Sequence, residues 1–162
     1  MNYTVRNAQR KDLGRIEDIY AYARGFMRQT GNPNQWGNHH PPHKQLLLDI
    51  EEGKLYVVED ENGLHGVFFF SIGLDPTYTV ITEGSWRSDA AYGTIHRIAG
   101  DGSGGILKTA VAFAASRIDH LRIDTHLDNQ VMQNALQSQG FDRRGIIFLA
   151  DGSPRIAYDK LL

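Results

Sequence analysis

The chain contains no cysteine among its 162 residues. That absence excludes a disulfide framework, thiol catalysis and cysteine-ligated zinc, and it fits a cytoplasmic protein. No stretch approaches the ~18 apolar residues that a membrane span needs. Met1–Arg6 likewise lacks the apolar run of a secretory leader, so the expectation is a cytoplasmic protein with no membrane partner. An excess of one charge is missing too: 17 Lys and Arg stand against 19 Asp and Glu, a net charge of −2, with the signs interspersed. Nucleic acid is therefore not the expected partner. With no repeat, linker or low-complexity tract, residues 1–162 read as one domain, long enough to bury a core without staples.

What is present reads as alternating strands and helices. Tyr3–Arg6 alternates weakly as a first strand, and Leu13, Ile16, Tyr20, Ala23 and Met27 mark an amphipathic helix over about 10–29. Gly31-Asn-Pro-Asn34 ends it, and a second helix covers 44–51. Leu55–Val58 and Gly66–Phe70 flank an Asn62-Gly63 turn and predict a hairpin. Phe68, Phe69 and Phe70 are expected to pack both faces of a central strand. Tyr78–Ile81 and Tyr92–Ala99 are further strand candidates, then a helix begins at Ile106. Leu121–Thr125 is a strand, and a helix capped by Asp128 or Asn129 stops at Gly140. Two last strands, 141–149 and 155–162, turn at Ala150–Pro154. The order implies an α/β (α+β) fold: a mixed, mostly antiparallel sheet of six to seven strands flanked by four helices.

The densest local signal is the loop Gly100-Asp-Gly102-Ser103-Gly104-Gly105 between a strand and the helix at Ile106. Such a loop turns backbone N–H groups toward one point with the positive end of a helix dipole behind them, a cradle for phosphate. A Walker site needs Gly-Lys-Ser/Thr at the end, whereas Lys108 comes after the helix has begun. A dinucleotide fold places its glycines after the first strand of a parallel unit, and this loop follows an antiparallel section. A plain surface loop is the remaining reading.

The flanks narrow the choice. The element order, the glycine loop two-thirds along, Asn129 after the next strand and Gln139-Gly140-Phe141 resemble the GNAT superfamily of N-acetyltransferases across the whole chain. Gln35-Trp36, Asp49-Ile50 with Gly53, His96–Ala99, Arg122–His126 with Asn129 and Met132, and Asp151–Tyr158 resemble one bacterial branch. The resemblance implies acetyl-CoA as co-substrate, no metal, and a small-molecule or peptide primary amine as acceptor. It leaves a homodimer open. Ile98, Ala99 and Gly100 would meet the pantetheine arm, and Gly102, Ser103, Gly104, Gly105 and Ile106 the pyrophosphate, with Asn129 beside the cofactor. Two positions depart from the family. Aligned on Gly105, the basic residue of Gln/Arg-x-x-Gly-x-Gly/Ala falls on Gly102 and its last glycine on Leu107, so no guanidinium neighbours the phosphates in sequence. The tyrosine that protonates the leaving thiolate in many relatives is replaced by Leu136.

Acetyl transfer to an amine of pKa near ~10.4 also needs help with a proton. His126, at the end of a strand, is the foremost candidate, though it also suits a cap at Asp128. His96 is the second, expected to share a face with Thr94 and Ile98, or to be a structural sheet histidine. Glu83 is the third, or else a solvated loop carboxylate. Asp124 and Arg122 share the face of His126 and can pair with each other. Trp36 is placed as a substrate contact or a lid on the core. His39, His40 and His43, interrupted by prolines, read as a solvated loop rather than a metal site. Direct attack in a ternary complex is expected, since no cysteine exists to carry an acyl group. Transfer from a different acyl-CoA, or a binding module of this fold with little catalysis, stays open beside it.

Overall fold

A computed structural model describes residues 2–162. Strand β1 (Thr4–Asn7) leads through a 3-10 turn into helix α1 (Leu13–Gln29), followed by α2 (His43–Glu51). The hairpin β2 (Leu55–Asp60) and β3 (Gly63–Ile72) precedes a long loop to β4 (Gly93–Gly100). Helix α3 (Ile106–Ala115), β5 (His120–Thr125), α4 (Gln130–Ser138), β6 (Asp142–Phe148) and β7 (Pro154–Leu161) complete the chain. The seven strands form one sheet in the order β1-β2-β3-β4-β5-β7-β6. Every neighbouring pair is antiparallel except β4 and β5, which the α3 crossover makes parallel.

The apolar periodicities decide what covers each face. Phe68 and Phe70 of β3 point to the side where Ile106, Ala110, Val111 and Ala114 of α3 and Leu136 of α4 close the core. Val67 and Phe69 point the other way, toward Ile16, Ile19, Tyr20 and Ala23 of α1 and Leu46 of α2. The triple phenylalanine thus packs both faces, as its position in a central strand predicts. A third cluster, Tyr78, Tyr92, Ile147 and Ala157, seals the end of the sheet that no helix reaches.

Residues 78–81, a strand candidate on β-propensity, do not form one. Asp75 caps a 3-10 turn at Pro76–Tyr78, accepting from the Thr77 N–H at 2.9 Å and the Thr77 hydroxyl at 2.6 Å. Tyr78 is then drawn into the core, its carbonyl accepting from Trp86 Nε1 at 2.9 Å. Only Thr82 bridges to the sheet, opposite Ile146. Local capping chemistry outweighs the apolar alternation here.

Two irregularities make the site. Strands β4 and β5 pair at Gly93–Leu121 and Thr94–Arg122 and then part, although both run on toward Gly100 and Thr125. In β4 the register against β3 slips between His96 and Ala99, a bulge at which Arg97 adopts φ +50°. The bulge inverts the alternation beyond it, so Ile98 packs on the α3 side, with Ile95, instead of sharing a face with His96. The left-handed Arg97 is held from three directions. Its guanidinium reaches the buried Asp49 carboxylate at 2.8 Å, lies 4.5 Å above the Phe69 ring, and its carbonyl accepts from Tyr20 Oη at 2.6 Å.

Candidate active site

Where β4 and β5 part, two grooves meet. One, of about 440 Å³, is mostly apolar and runs from Tyr22, Phe26 and Met27 past Ile98, Ala99 and Gly100 to Gly102, Gly104 and Ile106. The other, of about 770 Å³, is the more polar of the two and holds Gln35, Trp36, His96, Asp124, His126 and Arg155. Ile98, Met27, Asn129 and Met132 border both.

The apolar groove ends on the glycine loop. Gly102, Gly104 and Gly105 have φ of +91°, +88° and +77°, the left-handed region that a side chain rarely adopts. At Gly102 a Cβ would also lie 2.5 Å from Tyr22 Oη. The first bond of α3 runs from Thr109 N–H to Gly105 C=O at 3.1 Å, so the amides of Ile106, Leu107 and Lys108 stand free at its N-terminus. An anion fits here on backbone chemistry alone. A guanidinium is nevertheless near. Arg15 on α1 reaches Asp101 Oδ2 at 2.9 Å, a proximity that sequence distance conceals. The same carboxylate meets His65 Nδ1 at 2.9 Å, while His65 Nε2 meets Asp60 Oδ1 at 2.8 Å. The hydrogen bonds from Asp101 and then Asp60 raise the His65 pKa, favouring an imidazolium beside the loop. Asn129 is both a cap and a wall: its Oδ1 accepts from Met132 N–H at 3.0 Å and its Nδ2 donates to Gln35 Oε1 at 2.9 Å.

In the polar cleft the two histidines differ in kind. His96 Nε2 lies 2.7 Å from Asp75 Oδ2. Burial alone would raise the Asp75 carboxyl, but the His96 hydrogen bond and charge outweigh it and hold Asp75 well below the usual range. With Nε2–H donated to the ionised Asp75, a neutral His96 ring carries its lone pair on Nδ1. Nδ1 stands 3.8 Å from Asp124 Oδ2, whose hydrogen bond comes instead from Tyr78 Oη at 2.7 Å. His126 is the reverse. Its Nδ1 accepts from the Asp128 backbone N–H at 2.9 Å, so its proton sits on Nε2 and the ring is a donor. Burial, and then the Arg155 charge, lower its pKa and keep it neutral. His126 thus braces the turn at Asp128, and the cap of the helix itself is Asn129.

The other candidates scatter. Glu83 is exposed and borders neither groove; it lies ten residues before β4 in a surface loop, at φ +55°. Its neighbours Thr82 and Gly84 lie against Ile146 and Arg144 of the edge strand β6, so Glu83 stands at that edge rather than at the grooves. Arg122 does not pair with Asp124: it donates to Ser88 C=O at 2.8 Å and stacks 4.0 Å from Trp86 and 3.9 Å from Tyr92. Trp36 packs on the core, meeting Tyr20 edge-on at 5.6 Å, and also lines the cleft. His39, His40 and His43 are all exposed, as a solvated loop predicts; His43 pairs with Glu17 at 2.6 Å and His40 also borders the cleft. No three His, Asp or Glu residues converge as a metal site among the described residues. No described helix is long and apolar enough to cross a membrane. Leu136, at the tyrosine position of relatives, is wholly buried and packs the core.

Two functional residues escaped sequence reasoning. Asp75 sits in a Leu-Asp-Pro turn 21 positions from His96, and only the fold of the 73–92 loop brings them together. Arg155 lay in plain view beside the Asp151–Pro154 turn, but its burial in the cleft has no local signature.

No family model matches the chain, and no curated protein is significantly similar in sequence. Solved structures are. An acetyltransferase of the GNAT family from Streptococcus agalactiae 2603 superposes with a TM-score of 0.88 at 27% identity, over 100% of this chain and 96% of that one. A GNAT-family acetyltransferase from Listeria monocytogenes 4b F2365 gives 0.71 at 22% identity, over 99% and 95%. N-acetylglutamate synthase from Neisseria gonorrhoeae, complexed with coenzyme A and N-acetyl-glutamate, gives 0.61 at 14% identity, over 100% of this chain but 35% of that one. The first of these likenesses supports acyl transfer at the level of the family, and the other two show the fold. The resemblance read from the sequence holds in three dimensions: this chain has the fold of the GNAT acetyltransferases.

Proposed function

We propose that the chain is an N-acetyltransferase that moves the acetyl group of acetyl-CoA to a primary amine by direct attack in a ternary complex. The observation that carries this reading is the meeting of the two grooves at the parted strands. One ends at free helix amides suited to pyrophosphate, and the other presents an oriented imidazole. In that reading the free amides of Ile106, Leu107 and Lys108 bind the pyrophosphate, and Ile98–Gly100 line the pantetheine arm. Acetyl-CoA supplies the activated acyl group; the chain supplies position and proton control.

The bulge takes the backbone at Arg97–Ile98 out of the β3 ladder where the grooves meet, and its amides are our donors to the acetyl oxygen. The amine nitrogen attacks the acetyl carbon as the carbon–sulfur bond breaks, and His96 Nδ1 takes the proton that nitrogen sheds. Asp75 holds the tautomer this requires and stabilises the imidazolium it produces. His126 Nε2–H is the hydrogen-bond donor we assign to the departing thiolate, the ring staying neutral and the sulfur taking its proton from solvent; the tyrosine position of relatives is filled by Leu136.

Calorimetric titration of acetyl-CoA, followed by thiol release across an amine panel, tests the proposal. Binding with thiol release supports it. Absence of binding at millimolar acetyl-CoA refutes it, and binding without release across the panel leaves a binding module of this fold.

A further inference from the structure

Arg155 is the anomaly of the polar cleft. It is 6% exposed, yet its guanidinium makes one hydrogen bond, from Nη1 to the neighbouring Pro154 C=O at 2.8 Å. A guanidinium carries five donors, so most of its capacity is unused. Other sequestered arginines of the chain are satisfied. Arg97 holds Asp49, Arg87 holds Asp159 and Asp142, and Arg6 holds Asp12 and Glu59. Arg122, without a carboxylate, has a carbonyl and two aromatic faces. Among the described residues, no carboxylate stands within 4.0 Å of Arg155. None of its nitrogens is a sealed, partnerless atom, so the free donors open on the cleft they line.

The surroundings do not neutralise it. Asp124 and Asp151 attract it only at longer range, the first bonded to Tyr78 and the second to Ser153. His126 and His40, its titratable neighbours in the cleft, are held neutral, first by burial and then by nearby arginines. The strand register sets the placement. Asp124 opposes Ala157, so by alternation Arg155 lies on the face of Asp124, opposite the core-facing Ile156. His96, which turns away from Ile95 of that core, borders the same cleft with Asp75 bonded to it. The cleft therefore has a cationic corner at Arg155 and an anionic one around His96.

We propose that the acceptor is a small amine that also bears a carboxylate, an amino-acid-like zwitterion, with Arg155 as the residue that binds the carboxylate. This rests on the acetyltransferase reading above and narrows its substrate class. The planar fork of Arg155 grips the carboxylate through paired N–H donors. The ammonium end is attracted to Asp124 and Asp75, loses one proton to solvent before attack, and stands beside the His96 Nδ1 that takes the proton shed on attack. A cleft of about 770 Å³ suits a small molecule of that kind.

Matched pairs that differ only in the carboxylate provide the test: phenylalanine with phenethylamine, leucine with isoamylamine, lysine with cadaverine. Thiol release is measured at saturating acetyl-CoA, and calorimetry measures binding of each compound to the protein loaded with coenzyme A. In the wild type, at least one acid is preferred to its decarboxylated partner by about 100-fold in kcat/KM. Arg155→Gln collapses that preference to a few-fold, through KM, while coenzyme A affinity persists. Arg155→Lys retains part of the preference as a point charge.

The proposal is overturned if the bare amines equal the acids in the wild type, if no acid of the panel binds or reacts, or if the preference survives Arg155→Gln. The wild-type comparison decides the matter even where a variant fails to fold. Failure of the acetyltransferase reading looks different: acetyl-CoA does not bind and no thiol appears with any amine, while calorimetry still reports whether the acids bind.

Discussion

The two grooves are built from the same strand ends by opposite means. The apolar groove relies on backbone: glycines at positive φ, free amides at the start of α3, and side chains that contribute only surface. The polar cleft relies on side chains contributed by distant segments, with Asp75, His96, Asp124 and Arg155 drawn from a loop and three strands. A backbone site needs only a short stretch of the right residues. A side-chain site needs the whole fold to be right, because each member is positioned by a different element. The lesson is one of locality, and it predicts which changes injure one groove and spare the other.

The largest effect should come from breaking what the grooves share. Asp49→Ala strips the buried partner from Arg97 at the bulge, and leaving such a charge uncompensated costs about 3–5 kcal/mol. Urea denaturation should show that loss, and both coenzyme A binding and acetyl transfer should weaken together. If only one function suffers, the bulge is not the common support.

His96→Ala comes next and should separate the grooves. We expect kcat to fall by about 10²–10³-fold, while coenzyme A affinity is unchanged. His126→Ala should cost less in kcat. The reverse pattern would restore His126 as the base.

Gly105→Asp attacks the other side. A carboxylate at the helix N-terminus, forced to φ +77°, opposes the phosphates and should weaken coenzyme A binding by about 10- to 100-fold. Calorimetry of a carboxylate-bearing amine on the same variant should be undisturbed.

The smallest effect sharpens the contrast through pH. His65, beside the glycine loop, has a raised pKa, so its ion pairs stabilise the fold fully below the ordinary value of 6.5 and cease to do so as pH rises through the raised value. His126, in the cleft, has a lowered pKa, so the unfolded chain takes up its proton first and stability declines as pH falls below 6.5. Denaturation of His65→Gln and His126→Gln between pH 5 and 8.5 should alter the pH dependence in opposite directions. A change of the same sign in both would show that one environment has been misread.

Legibility in the sequence followed the same division. Most elements of the sheet and the four helices were readable because their signals are local: three- and four-residue apolar steps in α1, the Asn62-Gly63 turn, the Asn129 cap and the φ +83° stop at Gly140. The one strand that failed, at 78–81, failed to an equally local competitor, the Asp75–Pro76 turn. In the site, the glycine loop was readable and the cleft only partly so. His96 was visible, but its bulge, which turned Ile98 to the other face, is a mismatch between two strands and has no mark in either alone. Glu83 was nominated by proximity along the chain, and the loop carried it away from the parted strands.

By itself, the sequence determined the architecture and the anion cradle, since periodicity, capping and glycine conformation act within a few residues of each other. Only the tertiary structure decided which imidazole meets a carboxylate and which buried arginine lacks one. Those properties belong to pairs brought together across 21 residues, as in Asp75 and His96, or to the absence of a carboxylate, as at Arg155. Hydrogen bonds and burial set them, and both depend on which segments the sheet brings side by side.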